Sequence, residues 1–271
     1  MSQYLLRNKG GFSQLSYRVE GSGPVVMLLH GFPDSSGLWR EVEPLLAHDF
    51  TVVCPDLPGA CGSSLPADGG LTIERMAEGV AAVADEVAPS QFVLAGHSMG
   101  GYTALAFAER WATRLKGLAI VHSTAAADTD EKKSQRQKTI GLIQRGGKDA
   151  FMKEAIPAMF SATTRQSNPE LIRTQVERGL TLPDESTIAF YEAIAARPDR
   201  TAVVRNASIP MQWFLGSDDS IIPLDKVMEQ THLATRSAVN VYQSCGHMSM
   251  LEVPERLAAD LREFANYCYK A

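Results

Sequence analysis

Phe92-Val93-Leu94-Ala95-Gly96-His97-Ser98-Met99-Gly100-Gly101-Tyr102-Thr103-Ala104-Leu105-Ala106-Phe107-Ala108 sets an apolar run, a glycine-flanked serine and an alanine-rich stretch in immediate succession. Phe92–Ala95 predicts a strand buried on both faces, and Tyr102–Ala108 predicts a helix. Between them, Gly96 to Gly100 is a G-x-S-x-G pattern in the strand–turn–helix setting that the pattern requires. A residue at so tight a turn has a strained backbone, and strand and helix approach so closely that only small residues fit beside it. Gly96 and Gly100 supply that room, which makes Ser98 the candidate nucleophile. The helix N-terminus puts partial positive charge beside an oxyanion developing there.

Working outward, four more short apolar runs stand out: Val25–Leu29, Thr51–Cys54, Leu118–Val121 and Met211–Leu215, with Val239–Gln243 as a further candidate. Each is bounded by Gly, Pro, Asp or charged residues, as expected of strands in a parallel sheet. Ser13–Val19 alternates more weakly and predicts an edge strand. Between the runs, Ile73, Met76, Ala77, Val80, Val83, Ala84 and Val87 share one face of a helix, with Thr72 as its N-cap. A last helix starts near Pro254 and buries Leu257, Leu261 and Phe264. Alternating strands and helices imply an α/β fold with a mostly parallel central sheet and flanking helices. The alternation breaks between Ser123 and Asn206, where helix starts at Asn168-Pro169 and Pro183-Asp184 and a break at Gly146-Gly147 predict an inserted helical cap. The expected division is a core of residues 1–122 and 207–271 with a cap of residues 123–206.

His30-Gly31-Phe32-Pro33 directly follows Val25–Leu29. An oxyanion hole needs two backbone N–H groups aimed at one point. The residue after the nucleophile, Met99, supplies one, and Phe32 in the neighbouring loop is the natural second. His30 reads as a structural histidine holding this loop, with a catalytic base as its alternative. For the base itself, His247 follows the last predicted strand beside Gly246; His97, His122, His48 and His232 are its rivals.

Together these segments resemble an α/β-hydrolase with an inserted cap, similar to small serine carboxylesterases, from Gly23 to Phe264. The resemblance implies the chain order nucleophile, acid, histidine, which Ser98, Asp219 and His247 follow. Gly216-Ser217-Asp218-Asp219-Ser220-Ile221-Ile222-Pro223 resembles the family's G-x-x-D-x-x-x-P segment, which places the acid on Asp219. The family's less common acid position, after Leu118–Val121, holds no acid before Asp128. Pro55 to Ser64 resembles a D-x-R-G-x-G-x-S loop that supports the site, but Pro58 stands for the usual Arg and Cys61 for a usual Gly. Cys61 is expected to be packed rather than catalytic.

The implied reaction is acyl transfer to water through an ester on Ser98, without metal or organic cofactor. A serine nucleophile argues against epoxide hydrolases and haloalkane dehalogenases, relatives that use Asp there. H-G-F-P rather than H-G-G-G points away from bulky tertiary-alcohol esters. His122, Met159, Phe160, Tyr191 and Met248 are the pocket candidates, for a small to medium apolar ester. Carbon–carbon cleavage of a diketone, cofactor-free perhydrolysis and a hydrolase-like ligand receptor remain alternatives.

Composition bounds the rest. The chain has 271 residues, 45% hydrophobic and 21% charged, with a net charge of −5, which gives no field favouring nucleic acid or an anionic membrane. Four cysteines without C-x-x-C or zinc-finger spacing read as free thiols in a reducing compartment. No apolar run is long enough to span a bilayer and no signal peptide is visible, so a cytoplasmic protein is expected. One local feature departs from the acidic average. Lys132, Lys133, Arg136, Lys138, Arg145 and Lys148 fall in a window without an acid. The window reads as a solvated helix face, or as a docking strip for an acidic carrier protein.

Overall fold

The computed structural model describes residues 2–68, 70–88 and 90–270. Eight strands form one sheet in the order β1-β2-β4-β3-β5-β6-β7-β8. They are β1 (Ser2–Lys9), β2 (Phe12–Glu20), β3 (Val25–Leu29), β4 (Thr51–Pro55), β5 (Phe92–His97), β6 (Leu115–Val121), β7 (Met211–Gly216) and β8 (Ser237–Tyr242). β1 and β2 pair antiparallel and β2 joins β4 antiparallel, while every pair from β4 to β8 is parallel. The parallel strands β3, β4 and β5 are buried almost throughout, which is why they read as unbroken apolar runs.

The helices between strands are α1 (Glu43–Leu46), α2 (Ile73–Val87) and α3 (Met99–Trp111). Thr72 caps α2 by accepting from the Arg75 N–H, and the expected apolar face of α2 lies in the core. From β6 to β7 the chain is helical: α4 (Asp130–Gln144), α5 (Lys148–Ala158), α6 (Ala162–Ser167), α7 (Pro169–Leu180), α8 (Asp184–Ala196) and α9 (Thr201–Arg205). Asn168 caps α7, as its Asn-Pro start implied. Beyond β7 come α10 (Leu224–Thr231), α11 (Ser249–Glu252) and α12 (Pro254–Lys270). The two ends of the helical insertion are tied together, because buried Asp128 pairs with Arg197 at 2.9 Å and with Arg136 at 2.5 Å. No helix among the described residues is long and apolar enough to cross a membrane.

Two expectations are corrected. The Ser13–Val19 segment is not the sheet's edge, because β1 lies outside it. β1 escapes sequence reading because its side chains are nearly all exposed. It is held by the backbone ladder, by a turn at Gly10 and Gly11 with φ of 60° and 83°, and by Tyr4 stacked 5.4 Å from Tyr17. Cys61 is exposed rather than packed, with a φ of 43°. That left-handed backbone explains why glycine suits the position. Pro58, in place of the usual Arg, packs where α2 carries only Gly79.

Candidate active site

Ser98 stands between β5 and α3 with φ 51° and ψ −115°, a conformation costly for any residue with a side chain. The surroundings hold it there. Its N–H donates to the Val121 carbonyl at 3.0 Å, and its own carbonyl accepts from Gly101 N at 2.8 Å and Ser123 Oγ at 2.8 Å. A Cβ on Gly96 would collide with the Gly100 carbonyl, and one on Gly100 with the carbonyls of Leu29 and His30. The steric demand inferred from G-x-S-x-G is therefore met by named backbone atoms. Ser98 is partly exposed, and its Oγ makes no hydrogen bond among the described residues.

The loop after β3 closes on the same point, since a Cβ on Gly31 would lie 2.9 Å from the Ser98 Cβ. His30 is structural, as expected. Its Nε2 accepts from the Leu57 N–H at 2.9 Å and its Nδ1 donates to the Gly31 carbonyl at 2.9 Å. Burial, first of all, lowers its pKa and keeps the ring neutral. The Pro55–Ser64 loop thus supports the neighbouring loop through His30. Among the described residues, no hydrogen bond engages the N–H of Phe32 or of Met99. Both groups remain available to a ligand beside Ser98.

Asp219 and His247 are brought together at the carboxyl ends of β7 and β8. His247 Nδ1 lies 2.8 Å from Asp219 Oδ2, and Asp219 Oδ1 accepts from the N–H groups of Ile221 and Ile222, both at 2.9 Å. Burial alone would raise the Asp219 pKa, but the charge of His247 and the hydrogen bonds from His122 and His247 outweigh it and hold the carboxyl far below its ordinary value. No hydrogen bond joins Ser98 to His247 among the described residues; such bonds are often long without substrate. His97 lies beside His247, with ring centroids 4.8 Å apart, and bonds the His247 carbonyl through Nε2 at 2.9 Å. His48 and His232 are exposed on the surface. His122, Asp219 and His247 set three potential metal-ligand atoms within 4.8 Å of one another, but two imidazoles donating to one carboxylate oxygen account for that cluster without an ion.

The helical insertion meets the site at three places. Phe32 packs edge-on against Tyr191, with ring centroids at 5.0 Å, and against Phe190 at 6.3 Å. The Met159 carbonyl accepts from the His247 N–H at 2.7 Å. Glu252, which no motif marks, accepts from Gly246 N at 2.9 Å, Ser161 N at 3.0 Å and Thr164 Oγ1 at 2.6 Å, tying the His247 loop to the start of α6. Of the pocket candidates, His122, Met159, Phe160 and Met248 are buried, and Tyr191 is partly exposed.

Asp34, beside the Phe32 loop, is a second unforeseen feature. It is buried, accepts from Gln175 of α7, and lines a cavity of about 630 Å³ with Arg40, Cys61 and Arg178. Burial raises its pKa from 3.8 to about 6, against the opposing pull of the Ser35 N–H, Arg178, Gln175 and Arg40. The folded carboxyl binds its proton more tightly than the unfolded one, so stability falls as pH rises from about 4 to about 6, by at most about 3 kcal/mol. Asp34→Asn is expected to raise the melting temperature more at pH 7.5 than at pH 4. Equal changes at both pH values in a thermal-denaturation series would refute this.

With this geometry in place, the family follows. Residues 24–254 match the alpha/beta hydrolase fold family, and the chain belongs to it. An esterase from Thermogutta terrifontis, solved with malate bound, superposes with a TM-score of 0.91 at 30% identity, over 97% of this chain and 99% of the other. A pimeloyl-acyl-carrier-protein methyl ester esterase of Pseudoalteromonas atlantica is 27% identical over 92% of this chain and 97% of its own length. A 2-hydroxy-6-oxononadienedioate/2-hydroxy-6-oxononatrienedioate hydrolase of Pseudomonas putida is 27% identical over 86% of this chain and 84% of its own. The chain is thus a hydrolase of this fold.

Proposed function

We propose that the chain is a serine carboxylesterase that cleaves small to medium apolar esters through an acyl-enzyme on Ser98. The carrying observation is the convergence on one sheet edge of a serine hydroxyl and two N–H groups, none hydrogen-bonded among the described residues, with a carboxylate-oriented imidazole. On this reading His247 Nε2 takes the Ser98 proton as Oγ attacks the ester carbonyl, and the N–H groups of Phe32 and Met99 receive the oxyanion. His247 then returns the proton to the leaving alcohol. Water, deprotonated by the same imidazole, releases the acid and restores Ser98. Asp219 fixes the tautomer and stabilises the imidazolium. His97 and His122 stay neutral beside it, because burial above all lowers both pKa values. Residues 123–206 act as a cap on a core of residues 1–122 and 207–271, and Met159, Phe160, Tyr191 and Met248 border the bound ester, with His122 set behind them against Asp219.

The test is a series of p-nitrophenyl esters of graded acyl length, with and without EDTA, beside covalent labelling by a fluorophosphonate. Chelator-independent turnover that peaks at short or medium chains, and one label per chain on Ser98, are expected. Absence of both would overturn the reading. The resemblance to the Pseudomonas putida hydrolase favours carbon–carbon cleavage as the second reading. Loss of ultraviolet absorbance from a dienol-ketone, with inert esters, would establish it.

The Pseudoalteromonas atlantica relative supports an ester presented on an acidic carrier protein as one substrate class. The basic window serving it is narrower than its six residues suggest. Arg136 is spent on Asp128 and lies 5.3 Å from the Tyr191 ring centroid, and Lys148 is spent on Asp184 and the carbonyls of Leu180 and Leu182. Lys132, Lys138 and Arg145 remain exposed. Exposed attraction is screened beyond about 10 Å at 0.1 M salt. Added salt, or Lys132→Glu with Lys138→Glu and Arg145→Glu, is therefore expected to raise KM for a carrier-bound ester and leave a small neutral ester unaffected. Equal KM values for the variant and the parent on the carrier ester at low salt would remove the docking strip.

A further inference from the structure

We propose that His122 is a positioning residue that fixes Asp219 for His247 by donating a second imidazole N–H to the same carboxylate oxygen. The inference rests on the triad reading above and deepens it. His122 directly follows β6, the strand neighbouring β7, which leads into Asp219. Its φ is 45°, and its N–H donates to the Phe214 carbonyl of β7 at 2.8 Å. This left-handed backbone turns the ring toward the acid, and Nδ1 stands 3.1 Å from Asp219 Oδ2. His247 Nδ1 lies 2.8 Å from that same oxygen.

A carboxylate only accepts, so both imidazoles carry their proton on Nδ1. In His247 this leaves the Nε2 lone pair for the Ser98 proton. In His122 it leaves an Nε2 that is buried without a partner among the described residues. An unpartnered buried polar atom is destabilising, because it gives up its bond to water and gains none in return. A ring kept only to fill space carries that cost for nothing, since Leu or Phe would fill the space without it. What His122 provides in return is the N–H on Asp219. Together with the N–H groups of Ile221 and Ile222, it leaves the carboxylate no free rotation.

The titratable and charged groups around the pair are Asp219, His97, His247, Glu252 and Cys245. His97 and His122 stay neutral. Burial, followed by the carboxylates of Glu252 and Asp219, pushes the Cys245 thiol well above its ordinary value, so it too stays neutral. Asp219 is therefore the anion within hydrogen-bond reach of His247. Two donors share the charge on its Oδ2. Removing the His122 donor concentrates that charge on His247 and loosens the carboxylate.

The experiment compares pH profiles of kcat/KM for a p-nitrophenyl ester. His122→Ala is expected to move the acid limb to higher pH by about 0.5 unit or more and to lower the plateau kcat about tenfold, with KM changed less than about twofold. His122→Asn, whose side-chain N–H reaches similarly and whose residue type tolerates positive φ, is expected to restore both. Proton NMR of the wild-type protein is expected to show two low-field imidazole N–H signals, of which His122→Asn removes one. An unmoved acid limb in the Ala variant overturns the proposal. So does activity as fully lost as in His247→Ala, which would make His122 the base. If the Ala variant does not fold, a single low-field signal in the wild type overturns it equally. Failure of the triad reading itself looks different: the wild type then neither turns over esters nor labels on Ser98.

Discussion

Ser98→Ala is expected to abolish ester turnover while leaving the fold untouched. Removing a nucleophile from such a triad lowers kcat on the order of a million-fold, because the remaining groups stabilise a transition state that can no longer form. The structure makes this variant unusually clean. The Ser98 side chain has no hydrogen bond among the described residues to lose, and the bonds that hold the turn, from Ser98 N to Val121 and from Gly101, Tyr102 and Ser123 to the Ser98 carbonyl, are independent of the hydroxyl. Ala keeps the Cβ, so the positive φ costs the same in both proteins. The melting temperature is therefore expected to match the parent within about 2 °C, which is about 1 kcal/mol for a chain of this size. Turnover above a few per cent of the parent, on protein free of contaminating esterase, would overturn the assignment of the nucleophile.

Much of this site was legible because its constraints are local. G-x-S-x-G demands a strand, a turn and a helix within a short stretch, and Phe92 to Ala108 displays all three. The parallel strands β3, β4 and β5 announced themselves because burial on both faces leaves almost no polar position to interrupt them. β6 begins at Leu115, three residues before its apolar run, because Lys116 and Gly117 interrupt the pattern. Gly117 lies where Phe264 and Cys268 of α12 pack, a tertiary demand no window of sequence contains. β1 was invisible for the opposite reason, since a strand paired through its backbone and exposed along its length has no burial pattern.

The same distinction governs the residues that support the site. His122 and Asp219 are 97 positions apart, and Gln175 and Asp34 are 141 apart. Glu252 reaches 91 positions back to Ser161. These pairings arise from the order of β6, β7 and β8 and from the return of the helical insertion over the sheet. The first-contact residues follow from chain-local chemistry, whereas their supports follow from topology. His122 could be placed at the correct sheet edge from sequence, but its partner could not.

Asp219→Asn is expected to lower kcat/KM by about ten-thousand-fold, by analogy with serine proteases, whereas Asp218→Asn is expected to change it less than about threefold. The two acids are adjacent, yet their surroundings differ completely. Asp218 is exposed; its Oδ1 accepts from the Ser217 hydroxyl at 2.7 Å, and its backbone N–H donates to the Cys245 carbonyl at 2.9 Å. An amide reproduces those contacts. At Asp219 an amide cannot satisfy both sides. Oδ1 faces the N–H groups of Ile221 and Ile222, so the amide oxygen must take that side. The amide NH2 then points at the Nδ1 atoms of His122 and His247, where an acceptor stood. His247 relieves the clash by moving its proton to Nε2, which removes the lone pair that would accept from Ser98. Fluorophosphonate labelling of Ser98 should slow in parallel, because it needs the same proton transfer, while thermal melting shows whether each variant is folded. Near-parental turnover in Asp219→Asn together with collapse in folded Asp218→Asn would move the acid by one residue and refute the register of the Gly216–Pro223 loop.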